Sequence, residues 1–185
     1  MRKLKSVLLY TALGLLANIA NAETADLGAL LEGDMRKLTL HTEPEVTSDV
    51  AFTSADGAEL TLADYEGKTI LVNFWATWCA PCRKEMPQLS DLQTQLGGEN
   101  FEVVTIATGR NPRPAMEAFF TEIGVDNLPL NADARQALAR SMGVLGLPVT
   151  VIIGPDGREI GRLQGDADWA SESAIALLTA ITEEP

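Results

Sequence analysis

The sequence predicts an α/β domain with a mixed central sheet and helices on both of its faces. Ile70-Leu71-Val72-Asn73-Phe74-Trp75, Val103–Ala107 and Val149–Ile153 are compact apolar runs, as expected of strands buried on both sides. Stripes at helical spacing, Met86/Leu89/Leu92/Leu96 and Met116/Phe119/Phe120/Ile123, fall between those runs and imply parallel crossovers. Pro155-Asp156-Gly157 then turns the chain back into Glu159–Leu163, an antiparallel hairpin that makes the sheet mixed.

The elements follow in order. Residues 1–22 begin with Arg2, Lys3 and Lys5, continue through a mostly apolar stretch and end Ala20-Asn21-Ala22. This is the pattern of a secretory signal peptide cut after Ala22. An uncleaved anchor formed by residues 7–22 is the other reading, and it too leaves the domain outside the cytoplasm. Residues 23–45 read as a weakly structured lead-in with a short helical stretch near Leu27–Leu38, and the domain itself spans 46–185. Asp56-Gly57 turns between short strands at Ala51–Thr53 and Glu59–Leu62. Gly97-Gly98 ends the helix that follows Trp75, and Pro87 is expected to kink it. Asp133–Met142 fits a short helix stopped by Gly143. Asp168 is placed to cap a last helix carrying Trp169, Ile175, Leu178 and Ile181.

Composition narrows the function. Apolar residues make up 46% and charged residues 22%, the balance of a globular domain. Twenty-six acidic against 14 basic side chains, a formal charge of −12, argue against nucleic-acid binding, which needs clustered Lys and Arg. Two cysteines and one histidine are too few for a disulfide scaffold or a four-ligand zinc site. No metal and no cofactor is expected.

The two thiols carry the chemistry. Cys79-Ala80-Pro81-Cys82 lies where the strand ending at Trp75 gives way to a helix. At a helix start the first sulfur sits beside unpaired N–H groups and the positive end of the dipole, which favour the attacking thiolate. Pro81 has no N–H to waste in the first turn. Cys79 attacks a partner disulfide, and Cys82 resolves the mixed disulfide. A plain structural bridge would close a loop too short to restrain the unfolded chain much. A metal clip lacks its remaining ligands.

Nearby residues have two readings each. Glu85, one turn beyond Cys82, either handles the proton that Cys82 must lose or is an exposed helix glutamate. Asn73 reads as a satisfied polar core residue. Trp75 reads as core and Trp78 as an exposed partner contact. Leu147-Pro148 precedes a central strand, where proline either starts the strand in trans or forms a cis bond that leaves the Leu147 backbone open to an extended peptide. His41 reads as solvated. Arg110 and Arg113 border a loop and a helix start.

Asn73-Phe74-Trp75-Ala76-Thr77-Trp78-Cys79-Ala80-Pro81-Cys82, followed by Glu85-Met86-Pro87, resembles the thioredoxin superfamily, and within it the exported TlpA/ResA-type thiol–disulfide proteins. Gly146-Leu147-Pro148-Val149-Thr150 and the hairpin at 154–158 match later family segments. The resemblance implies a thioredoxin-like fold, Cys79 as attacking and Cys82 as resolving cysteine, and Pro148 as a cis-proline beside the sulfurs. It implies a substrate surface at Trp78, Pro81, Leu147 and Pro148, and a helix glutamate at Glu85 in place of the buried aspartate that thioredoxin carries at the Asn73 position. It also implies a periplasmic protein-disulfide reductant for apocytochrome c or copper-site proteins of cytochrome oxidase, fed by a membrane dithiol donor. A general disulfide oxidase or isomerase, and a copper-handling module using the thiols as ligands, are the alternatives.

Overall fold

The computed structural model describes residues 27–183, so the leader reading of residues 1–22 lies outside it. Eight strands and four helices follow in the order β1 (Thr39–Val46), β2 (Phe52–Thr53), β3 (Glu59–Leu60), β4 (Thr69–Trp75), α1 (Ala80–Leu96), β5 (Phe101–Thr108), α2 (Arg113–Ile123), β6 (Asn131–Asp133), α3 (Ala137–Ser141), β7 (Val149–Ile153), β8 (Arg158–Gln164) and α4 (Glu172–Glu183). The strands form one sheet in the order β1-β8-β7-β4-β5-β6-β2-β3. β4, β5 and β6 are parallel, while β7 and β8 return antiparallel beside β4. The sheet is mixed, as the sequence predicts.

Every residue of β4 is buried, because both of its faces are covered. Leu71 and Trp75 share one layer with Val103, Ala107, Ile152 and Leu163, packed under α1, α2 and α4. Ile70, Val72 and Phe74 join Val104, Ile106, Val149, Val151 and Ile153 in the other layer, covered by Leu138 and Ala139 of α3. Two-residue alternation along each strand divides the side chains between the layers. Trp75 packs on Phe119 and Phe120 at centroid distances of 4.9 and 5.2 Å, which fastens α2 to the end of β4.

Four local expectations differ from the structure. The sheet reaches back into the expected lead-in: β1 pairs antiparallel with β8, from Thr39 opposite Arg162 to Val46 opposite Arg158. Its mixed Thr, His, Glu and Pro sequence hides the strand because β1 is an exposed edge. β6 has only three residues, too few for a periodic signal. The last helix starts at Glu172, with the Ala174 N–H donating to Ser171 Oγ at 3.3 Å, while Asp168 forms a turn with Ala170 and Ser171. Trp169 therefore precedes α4 instead of riding on it. His41 is not solvated: the β1–β8 pairing sets its Nε2 2.8 Å from Glu159, a buried carboxylate that also takes two hydrogen bonds from Arg162 at 2.5 and 2.6 Å.

The segment ahead of β1 belongs to the core. Met35 is fully buried in the α1/α4 layer, and Ser173 Oγ donates to the Leu30 carbonyl at 2.6 Å. Met35→Ala is expected to lower stability by about 2–4 kcal/mol in urea unfolding, the cost of a core cavity. A near-zero cost would return residues 27–38 to the status of an appendage.

Candidate active site

The site lies where β4 ends. Beyond Trp75 the chain crosses a short turn, in which the Cys79 N–H donates to the Ala76 carbonyl at 3.1 Å, and enters α1. Cys79 is the N-cap residue, and its sulfur accepts the Cys82 backbone N–H at 3.2 Å. Pro81 sits in the first turn, where no partner for an N–H is needed. Cys79 and Cys82 are bonded to each other, with Cα atoms 5.3 Å apart. The bridge is shielded: Cys79 is 5% exposed and Cys82 fully buried. When the bridge opens, the same N–H and the dipole of a 17-residue helix face a charge on Cys79.

Asn111 anchors the turn from the β5–α2 loop. Its Oδ1 accepts from Thr77 N–H at 2.8 Å and Thr77 Oγ1 at 3.0 Å, and its Nδ2 donates to the Thr108 carbonyl at 3.0 Å. Arg113, by contrast, starts α2 and donates to the carbonyls of Leu130 and Ser54, a structural role. Arg83, just past Cys82, lies over the Phe119 ring at 4.4 Å and pairs with Glu122.

Glu85 is fully buried one turn along α1 from Cys82, which removes the reading of an exposed helix glutamate. Oε1 accepts from Asn73 Nδ2 at 2.8 Å. Oε2 accepts from the Ala167 N–H and from Trp169 Nε1, both at 3.3 Å. Burial pushes the carboxyl up to about 7, against the downward pull of these three donors, and the negative charge of Asp166 adds to the rise. A group poised there can accept or return a proton at neutral pH.

Pro148 follows a cis peptide bond from Leu147. Val149 pairs with Phe74, so this loop sits beside the end of β4 from which the cysteine turn departs. The Pro148 carbonyl accepts from Gly165 N–H at 2.9 Å, whereas the Leu147 N–H and C=O have no hydrogen-bond partner among the described residues. Trp78 and Pro81 are exposed, Leu147 is half-buried and Pro148 buried. Two of the three exposed large apolar residues among those described, Trp78 and Leu145, lie in these two neighbouring loops.

The Redoxin family profile matches residues 42–178. The chain belongs to the redoxin family. This redoxin is 31% identical over 110 residues to the thiol-disulfide oxidoreductase ResA of Bacillus subtilis, a match covering 60% of each chain. It is 30% identical over 122 residues to ResA of Bacillus thuringiensis subsp. konkukian, covering 62% of this chain and 65% of that one. The chain thus spans less than two thirds of the length of these relatives. A thiol:disulfide interchange protein of the thioredoxin family from Chlorobium tepidum superposes with a TM-score of 0.62 at 24% identity, covering 77% of this chain and 99% of its own. The thioredoxin domain of a Bacteroides vulgatus thiol-disulfide oxidoreductase gives 0.64 at 19%, with the same coverages. The fold is thioredoxin-like.

Within this redoxin, the structure gathers the predicted Cys79, Cys82 and Glu85 on one helix and sets the Leu147–Pro148 loop beside its start. Sequence reasoning missed Ala167 and Trp169 as partners of Glu85, 82 and 84 positions away. It also missed Thr150, Asn111 and Leu145. No local pattern marks such residues, since their partners come from other elements.

Proposed function

We propose that this protein is an exported thiol–disulfide oxidoreductase that reduces specific protein disulfides, with cytochrome c or cytochrome oxidase assembly as its setting. The observation that carries the reading is the shielded Cys79–Cys82 bridge at the start of α1 with a buried carboxyl one turn beneath it. A stabilising disulfide needs no such carboxyl and gains little from so short a loop.

The cycle starts from the dithiol. The Cys79 thiolate attacks one sulfur of a partner disulfide, forming a mixed disulfide and releasing the other partner sulfur as a thiolate, which takes a proton from solvent. Glu85 accepts the proton of the Cys82 thiol. The Cys82 thiolate then attacks Cys79 sulfur, the Cys79–partner bond breaks, and the partner's second sulfur leaves with both electrons. The bridge seen here is the product, and a membrane dithiol protein returns the electron pair. Trp78, Pro81, Leu147 and Pro148 form the substrate surface. The unpaired Leu147 backbone suits an extended peptide added as a strand, and Trp78 offers an apolar contact beside it.

The test is a trap. Cys82→Ser, reduced and mixed with a peptide holding an oxidised Cys-x-x-Cys-His haem-attachment sequence, is expected to accumulate a mixed disulfide on Cys79. Wild-type protein should turn over without accumulating it. A Cys82→Ser protein that forms no adduct with this peptide would remove the cytochrome c setting, and one that forms none with any protein disulfide would remove the activity.

A further inference from the structure

Among the described residues three buried side-chain polar atoms lack a hydrogen-bond partner: Asn73 Oδ1, Trp75 Nε1 and Asn131 Nδ2. Asn73 Oδ1 has no hydrogen-bond partner among the described residues, although Asn73 is fully buried in the middle of the sheet. Its Nδ2 spends both hydrogens, one on Glu85 Oε1 at 2.8 Å and one on Thr150 Oγ1 at 2.9 Å. Thr150 lies directly opposite Asn73 on β7. An orphaned amide oxygen in this position costs free energy, and a methyl-bearing side chain would avoid it.

The contacts of Glu85 supply a use for it. All three of its partners donate: Asn73 Nδ2, Ala167 N–H and Trp169 Nε1. That shell suits a carboxylate. A neutral carboxyl carries an O–H that must donate, and neither a backbone N–H nor an indole N–H accepts. Of these three donating groups, only the Asn73 side-chain amide also carries an acceptor. Turning its amide by 180° puts Oδ1 where Nδ2 now lies. Oδ1 then accepts the Glu85 O–H and the Thr150 hydroxyl, which donates as readily as it accepts. Each orientation leaves one amide group unpaired, so neither is favoured outright.

We propose that Asn73 is a positioning residue with two amide orientations, one for each protonation state of Glu85, pivoting on the Thr150 hydroxyl. Its consequence for turnover rests on the reading of Glu85 as the proton acceptor of Cys82. The turn lets the carboxyl gain and lose that proton without ever burying an unpaired O–H. The charged groups around the network are few. Asp166 faces Glu85 from the loop before α4 and is held by Lys84 at 2.8 Å, with Asp34 and Lys37 paired at 2.7 Å behind it. α1 adds the two cysteines when reduced. The central strands contribute only uncharged Thr105, Asn73 and Thr150 to this face.

The experiment is a pH titration of the oxidised protein by NMR, following the Asn73 side-chain amide and the Glu85 carboxyl carbon. The Asn73 Nδ2 shift is expected to move with the Glu85 midpoint, and its cross-peaks to Glu85 and Thr150 to fade on the acid side. Glu85→Gln, whose own NH₂ needs the Asn73 oxygen, should hold the acid-side pattern at every pH. In Asn73→Leu the Glu85 midpoint should stay nearly in place, because donor and acceptor are lost together. A residue that only donated would let the midpoint rise by about one unit or more. A single Asn73 orientation throughout the wild-type titration, or that rise in Asn73→Leu, overturns the proposal. The oxidised protein needs no substrate for these measurements, so failure of the disulfide-exchange function would show in the Cys82→Ser trap and not here.

Discussion

Cys79→Ser is expected to lose protein-disulfide reduction down to the uncatalysed background. Removing a covalent nucleophile costs on the order of 10³-fold or more, and a serine hydroxyl at neutral pH does not attack disulfide sulfur. The loss should come without unfolding. Serine is a preferred N-cap residue, so its hydroxyl inherits the Cys82 N–H that the Cys79 sulfur accepts at 3.2 Å. The bridge it removes spans a sequence separation of 3, and so short a loop contributes little to stability through chain entropy. Release of thiols from a model protein disulfide, followed beside urea unfolding of the same variant, separates the two effects. Near wild-type turnover in Cys79→Ser would end the assignment of Cys79 as attacking group. Cys82→Ser differs in kind: it keeps the first attack and loses the second, so it stalls as a covalent adduct.

Glu85 makes the second large prediction, and it concerns stability. Its folded-state value near 7 lies above the ordinary 4.5, so the folded protein binds this proton more tightly than the unfolded chain does. The stabilisation is therefore complete below about pH 4.5 and is lost as pH rises through 7. The difference amounts to about 3 kcal/mol between those limits. Glu85→Gln keeps the shape and cannot ionise. It is expected to gain on the wild type as pH rises from 4.5 to 8, the difference between their unfolding free energies in urea shifting in its favour by that amount. A difference that stays flat over this range would mean that the buried carboxyl does not change charge there. The same substitution should slow bridge closure on a bound partner, since it removes the group proposed to accept the Cys82 proton.

The edge of the sheet shows where local reading loses its grip. β4 announces itself because six consecutive apolar or core-bound residues stand between two covered faces. β1 does not, since six of its eight residues, all but Leu40 and Val46, are polar, charged or proline, and its pairing with β8 comes from residues more than 110 positions away. His41 follows from that pairing: in sequence it neighbours Thr and Leu, and in the fold it meets Glu159 and Arg162.

What the sequence determined alone is local. A Cys-x-x-Cys at a strand-to-helix junction defines two sulfurs within bonding reach and a helix N-terminus beneath the first, because spacing of three along a helix start is short-range geometry. Only the tertiary structure decided the surroundings of Glu85. Spacing along α1 put it a turn from Cys82 but left its side chain free to face water or protein. The answer came from Asn73 on β4 and from Ala167 and Trp169 on the loop before α4, brought over it by the packing of α1 and α4 on one face of the sheet. Desolvation is a property of everything that covers a group, and that is why a proton affinity cannot be read from neighbours in the chain.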